Sequence, residues 1–119
     1  MPVLHIEHAI SDLDTWFAAF ARLADRRLAA GVRRERVCQP VDDPRYILVD
    51  LDFDRVDQAQ QFLQFLQEQV WAVPANSPAL AGRPTGRILE IHHEGPLREL
   101  SGAGRALAVG GPDNSVPLR

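Results

Sequence analysis

Tyr46-Ile47-Leu48-Val49-Asp50-Leu51-Asp52-Phe53 alternates in character from one residue to the next. Successive side chains of a strand point to opposite faces, so Ile47, Val49, Leu51 and Phe53 share one apolar face and Tyr46, Leu48, Asp50 and Asp52 share the other. Upstream, Pro40 to Pro44 contains Asp42-Asp43-Pro44, which is turn chemistry. Before that turn, Val32 to Gln39 reads as a second strand, polar and suited to a sheet edge. Its run Arg33-Arg34-Glu35-Arg36 puts charge on that edge, which discourages pairing with other chains.

Working outward, Val3 to Ala9 alternates as a first strand. Ser11 or Asp12 then supplies a helix N-cap, and Asp14 lies in the first turn, where a carboxylate suits the positive end of the helix dipole. Leu13, Trp16, Phe17, Phe20, Leu23 and Leu28 recur at helical spacing up to Gly31, a C-terminal stop. On the other side of the central strand, Asp54 caps a second helix with the stripe Val56, Ala59, Leu63, Leu66, Val70 and Val73, widened by Phe62. Pro74 ends or bends it. Ala75 to Gly86 reads as a loop, and Arg87 to His93 as the last strand.

The order is β-α-β-β-α-β, a ferredoxin-like α+β arrangement. It predicts a four-stranded antiparallel sheet of order 4-1-3-2 with two helices on one face. Residues 1–94 form the domain, and residues 95–119, rich in Gly, Pro and small side chains, form a tail or an arm across a neighbour. The sheet face away from the helices carries Val3, Tyr46, Leu48 and Ile88 in this reading and needs a cover. A second copy of the sheet is the simplest one, which predicts a homodimer; the tail folding back is the alternative.

Composition narrows the function classes. The 119 residues suit one domain, with 45% hydrophobic and 24% charged residues. A net charge of -3 lacks the basic excess of a sequence-independent nucleic-acid binder. The N-terminal stretch has no secretory n-region or h-region, and no apolar run approaches the roughly 20 residues of a membrane helix. Cys38 is the single cysteine, read as a passive thiol with no disulfide framework. A cytoplasmic setting fits these features, with no nucleic-acid and no membrane partner. The glycines at 102, 104, 110 and 111 lack the strand-loop-helix context of a phosphate loop.

His8-Ala-Ile10-Ser-Asp12-Leu-Asp-Thr-Trp16-Phe-Ala-Ala-Phe20 resembles the strand-to-helix junction of the dimeric α+β-barrel superfamily, which includes antibiotic-biosynthesis monooxygenase-like proteins. Asp42-Asp43-Pro44, Asp54, Ala59 and Phe62 extend the resemblance over roughly residues 3–93. It implies two sheets meeting face to face, a cavity between sheet and helices or near the barrel interior, and cofactor-independent oxygenation of a phenolic, quinol or polyketide-like aromatic molecule. The haem-degrading branch is rejected: Trp71 is followed by no histidine on the second helix, and the first strand has no asparagine.

The residues themselves offer one constellation. Strand parity sends His5, Glu7, Asp50, Glu90 and His92 to the face opposite the helices, with Tyr46 and Arg34 or Arg36 nearby. Histidines and carboxylates in a contact surface need partners. They form a dimer interface laced with ion pairs, an acid–base site in which a histidine beside a carboxylate deprotonates a phenol, or a metal site, although no dedicated metal motif is present. On this basis His5, Glu7, Tyr46 and His92 are the candidate catalytic groups, and His8, Trp16, Asp50, Glu90 and Trp71 the candidate ligand contacts. No cofactor and no metal is expected. His8 faces the helices, where it is either a satisfied core histidine or the polar group of an apolar pocket. The chain is thus either a small enzyme or a non-catalytic dimeric binding protein.

Overall fold

The computed structural model describes residues 1–97, so most of the 95–119 tail lies outside the described residues. Four strands form one antiparallel sheet in the order β2-β3-β1-β4: β1 (Val3–Ile10), β2 (Arg34–Cys38), β3 (Tyr46–Asp52) and β4 (Leu80–Leu89). This is the expected order, with β1 and β3 central. β1 pairs with β3 from Val3↔Asp52 to Ala9↔Tyr46, and with β4 from Val3↔Leu89 to Ile10↔Leu80. The alternation of β1 and β3 becomes a core of Leu4, Ile6, Ile10, Ile47, Val49 and Leu51, closed at one end by Phe53. Ala59 and Phe62 of α3 (Val56–Phe65) pack onto it.

The first predicted helix is two: α1 (Leu13–Arg22) and α2 (Ala24–Ala30). Asp12 is the cap of α1, accepting from the Thr15 N–H at 2.8 Å. The break falls at Leu23, whose φ of -99° and ψ of 11° leave the helical region. Arg27 offsets the disruption, because its Nη1 donates to the Phe20 carbonyl at 2.6 Å. Gly31 closes α2 at φ 98°, a left-handed position where other residues are strained. The kink takes Leu28 off the apolar stripe, leaving it 76% exposed. α1 itself buries no residue completely, and Phe17 is largely exposed.

The second half departs from expectation in three places. α3 begins with Arg55, not Asp54, at its cap position, and the Gln58 side chain accepts from the Arg55 N–H at 3.0 Å. The helix then continues through one π-type turn, Leu66–Val70, with the Trp71 N–H bonded to the Leu66 carbonyl at 2.7 Å. Pro74 opens a short 3-10 turn, Pro74–Asn76, in place of a longer loop. The largest correction concerns β4, which runs from Leu80 to Leu89 and not from Arg87 to His93. Gly82, Pro84 and Gly86 look like loop residues, but β4 is an edge strand with an irregular register opposite His8, a setting that tolerates both Gly and Pro.

The regular pairing of Thr85–Leu89 with Val3–Glu7 gives β4 the opposite parity to the predicted one. Ile88 pairs with Leu4 and packs toward the helices, while Arg87 and Leu89 pair with His5 and Val3 on the open face. A one-residue slip moves every side chain of a strand to the opposite face.

Truncating a side chain tests these packing assignments. Phe53→Ala, at a fully buried position, should cost about 3–5 kcal/mol in denaturant unfolding. Leu28→Ala, at a position the sequence stripe treats as core, should change stability by no more than about 0.5 kcal/mol.

Candidate functional site

The two faces of β1 carry different chemistry. On the open face, the His5 ring lies between two carboxylates, with Nδ1 2.6 Å from Asp50 Oδ1 and Nε2 2.7 Å from Glu7 Oε2. The Tyr46 hydroxyl donates to Glu7 Oε1 at 2.6 Å. β-sheet register explains this: His5 is the cross-strand partner of Asp50, and Ala9, two residues beyond Glu7, is the partner of Tyr46. The same row continues to Arg36 on β2 and Arg87 on β4.

Protonated His5 donates to both carboxylates, so Asp50 first and Glu7 second raise its pKa above the usual histidine value. Glu7 is held below the ordinary carboxylate range, first by the Tyr46 hydroxyl and then by His5. Tyr46 is raised because its hydroxyl donates to the Glu7 carboxylate, which favours the protonated phenol. Each group is paired with another in the network. The carboxylates bracket the ring on its two nitrogens instead of converging on a point, and no group of three or more His, Cys, Asp or Glu among the described residues could hold a metal ion.

Glu90 and His92 do not join this network. β4 has ended by Leu89, and the two residues face solvent with His92 Nε2 3.8 Å from Glu90 Oε1. Their predicted adjacency to His5 assumed a strand through His93 and the opposite parity.

The inner face of the sheet holds a cavity of about 80 Å³ beneath α1 and the π turn. Its walls are mainly apolar, including Ile6, Val49 and Phe62, and it brings together His8, Trp16 and Trp71, three of the predicted ligand contacts. Asp50 lies on the opposite face of the sheet. Trp16 stacks on Phe20 at 4.7 Å between centroids, and the Trp71 ring meets His8 edge-on at 6.5 Å. The π turn precedes Trp71 directly; such turns change which side chains a helix end presents.

His8 is 5% exposed and its Nδ1 lies 2.9 Å from the Ala9 carbonyl. That contact makes Nδ1 the protonated nitrogen and Nε2 the acceptor. No described residue hydrogen-bonds Nε2. Burial pushes the His8 pKa down, and the Ala9 contact opposes this only partly. The ring is therefore a neutral base in a largely apolar chamber.

Sequence reasoning missed Arg27, which lines the same cavity while 6% exposed. Its signal was visible: Trp16, Phe20, Leu23 and Arg27 follow helical spacing, so a cation stands where the apolar stripe continues. Asn76 and Ser77 also line the cavity and were read as part of a featureless loop.

The histidines should titrate in opposite directions. In NMR titrations, His5 should have a midpoint above the ordinary histidine value, and Asp50→Asn should bring it down. His5 supplies its stability below the unfolded-state pKa and loses it as pH rises through its raised folded value. His8 should titrate below the ordinary value, giving stability that is present above the unfolded-state pKa and lost as pH falls through the folded one.

The chain matches no protein-family profile and no curated protein. Solved structures do resemble it. A protein of Nitrosomonas europaea, named as a candidate antibiotic biosynthesis monooxygenase, superposes with a TM-score of 0.57 at 15% identity, covering 78% of this chain and 100% of its own. SnoaB, a cofactor-independent oxygenase from Streptomyces nogalater, gives 0.55 at 16% identity, covering 82% of this chain and 97% of its own. A dimeric ferredoxin-like protein from an uncultured marine organism gives 0.52 at 11% identity, covering 82% and 100%. At these identities the likeness speaks to architecture, and with the strand order above it identifies the chain as having the ferredoxin-like α+β fold found among the antibiotic-biosynthesis monooxygenase-like proteins.

Proposed function

We propose that the protein is a cofactor-independent oxygenase of electron-rich aromatic molecules, acting in the cavity between the sheet and α1, with His8 as its base. The observation that carries this reading is the neutral, buried His8 with a free acceptor nitrogen in an aromatic-lined chamber. Trp16 and Trp71 supply flat surfaces for a planar substrate. The fold likeness to SnoaB, described as a cofactor-independent oxygenase, supports the reaction class.

The chemistry balances without a bound redox group. His8 Nε2 takes a proton from an acidic ring CH₂ flanked by phenol rings, leaving a delocalised carbanion. The carbanion reduces and captures dioxygen, and the peroxide takes a proton from the imidazolium. Loss of water from the hydroperoxide leaves a carbonyl, so one oxygen atom enters the product and the other leaves as water. General-base assistance of this kind contributes about 10²–10⁴-fold.

The open face fits a different task. With Leu48, Val3 and Leu89 beside a self-paired network of His5, Glu7, Asp50 and Tyr46, it suits contact with a second copy. One of the structural neighbours is described as dimeric. His5, Glu7 and Tyr46 are then interface groups and not catalytic ones.

Oxygen uptake on a panel of anthrones and hydroquinones tests the enzyme reading. Wild type should consume oxygen, and His8→Gln should lower kcat/KM by about 10²-fold or more, with activity rising with pH as His8 becomes neutral. An unreactive wild-type protein that still binds these aromatics would instead be a non-catalytic binding protein. Sedimentation at micromolar concentration should give a dimer that Leu48→Asp converts to monomer, whereas a monomeric wild type contradicts the interface.

A further inference from the structure

Arg27 carries five N–H donors. Two are used: Nε donates to Glu35 Oε1 at 2.7 Å and Nη1 to the Phe20 carbonyl at 2.6 Å. The other three meet no acceptor among the described residues, although the residue is 6% exposed and lines the cavity. Its guanidinium carbon lies 3.6 Å from the Phe20 ring centroid, and Phe20 stacks on Trp16. The cation is thus held by Glu35, by a backbone carbonyl and by an aromatic ring, and still has unused donors. Buried donors without acceptors are costly and uncommon in folded proteins.

Arg27 and His8 mark different parts of the chamber. Glu35, the ion-pair partner of Arg27, is in register with Leu51, whereas His8 is in register with Ile47. Those rows are four residues apart, roughly 13 Å along the sheet. A ligand anion meeting Arg27 therefore sits toward the end of the cavity away from His8.

We infer that Arg27 is an anion-recognising residue of the cavity, selecting aromatic ligands that carry a carboxylate or phenolate at the end remote from His8. This inference rests on the cavity being the ligand site proposed above, but not on its chemistry. The planar guanidinium matches a carboxylate through paired hydrogen bonds, and its partner Glu35 is exposed enough to retain solvent contact when an anion arrives.

The test compares 2-naphthoate with 2-naphthamide, near-isosteres that differ in charge, by tryptophan fluorescence and calorimetry on the full chain. Wild type should bind 2-naphthoate about tenfold or more tightly, the scale expected of one charged hydrogen-bonding contact. Arg27→Met should abolish that preference while holding naphthamide affinity, and Arg27→Lys should keep part of it. If Arg27→Met fails to fold, Arg27→Met with Glu35→Gln removes the ion pair as a unit and gives the same reading. Equal affinity of wild type for the two probes, a preference that persists without Arg27, or binding of neither probe overturns the inference. A retained naphthoate preference in a protein that consumes no oxygen leaves it standing and removes only the oxygenase reading.

Discussion

β1 is hydrogen-bonded along both edges, to β3 and to β4, and its alternation decides where everything else goes. Leu4, Ile6, His8 and Ile10 must face the helices because His5 and Glu7 face away. A slip of one residue would bury two charged groups under α1 and expose the core leucine and isoleucines. Register on a doubly paired central strand with one buried face is therefore strongly specified. The same constraint separates the two polar centres of the molecule by the thickness of a single sheet.

The centres differ in what they leave unsatisfied. On the outer face, Asp50, His5, Glu7 and Tyr46 form a chain of short hydrogen bonds, each group bonded to the next. Such an arrangement rigidifies a surface, and every group in it already has a partner within the network. On the inner face, His8 and Arg27 each keep capacity unused, the first an acceptor and the second donors, in a space walled by aromatic rings. Unused polar capacity in an apolar chamber is what a ligand site requires.

Much of the frame was legible because the strongest signals were periodic. The alternation of Tyr46–Phe53 and the stripe from Val56 to Val70 gave the strand order and a helix-covered face. The link between His5, Glu7, Asp50 and Tyr46 followed from parity on two strands whose starts were correct and whose ends were off by one residue. What failed depended on irregularity. Gly82, Pro84 and Gly86 punctuate an edge strand as they would a loop, so the start of β4 was hidden and its parity came out inverted, which put Glu90 and His92 in the wrong place. The break at Leu23 was equally hidden, since no Gly or Pro marks it and its compensation comes from Arg27 four residues later. The cavity itself depends on α1 standing off the sheet, a packing outcome that no local pattern encodes.

On the proposed reading, ligand chemistry belongs to the inner face of β1. Side-chain NMR during titration with a dihydroxynaphthalene reads both faces at once. Binding on the inner face should shift the His8 ring nitrogens and the Trp16 and Trp71 indole N–H signals, with the His5 ring unaffected. Shifts at His5 and Tyr46 with His8 and both indoles unmoved would contradict it.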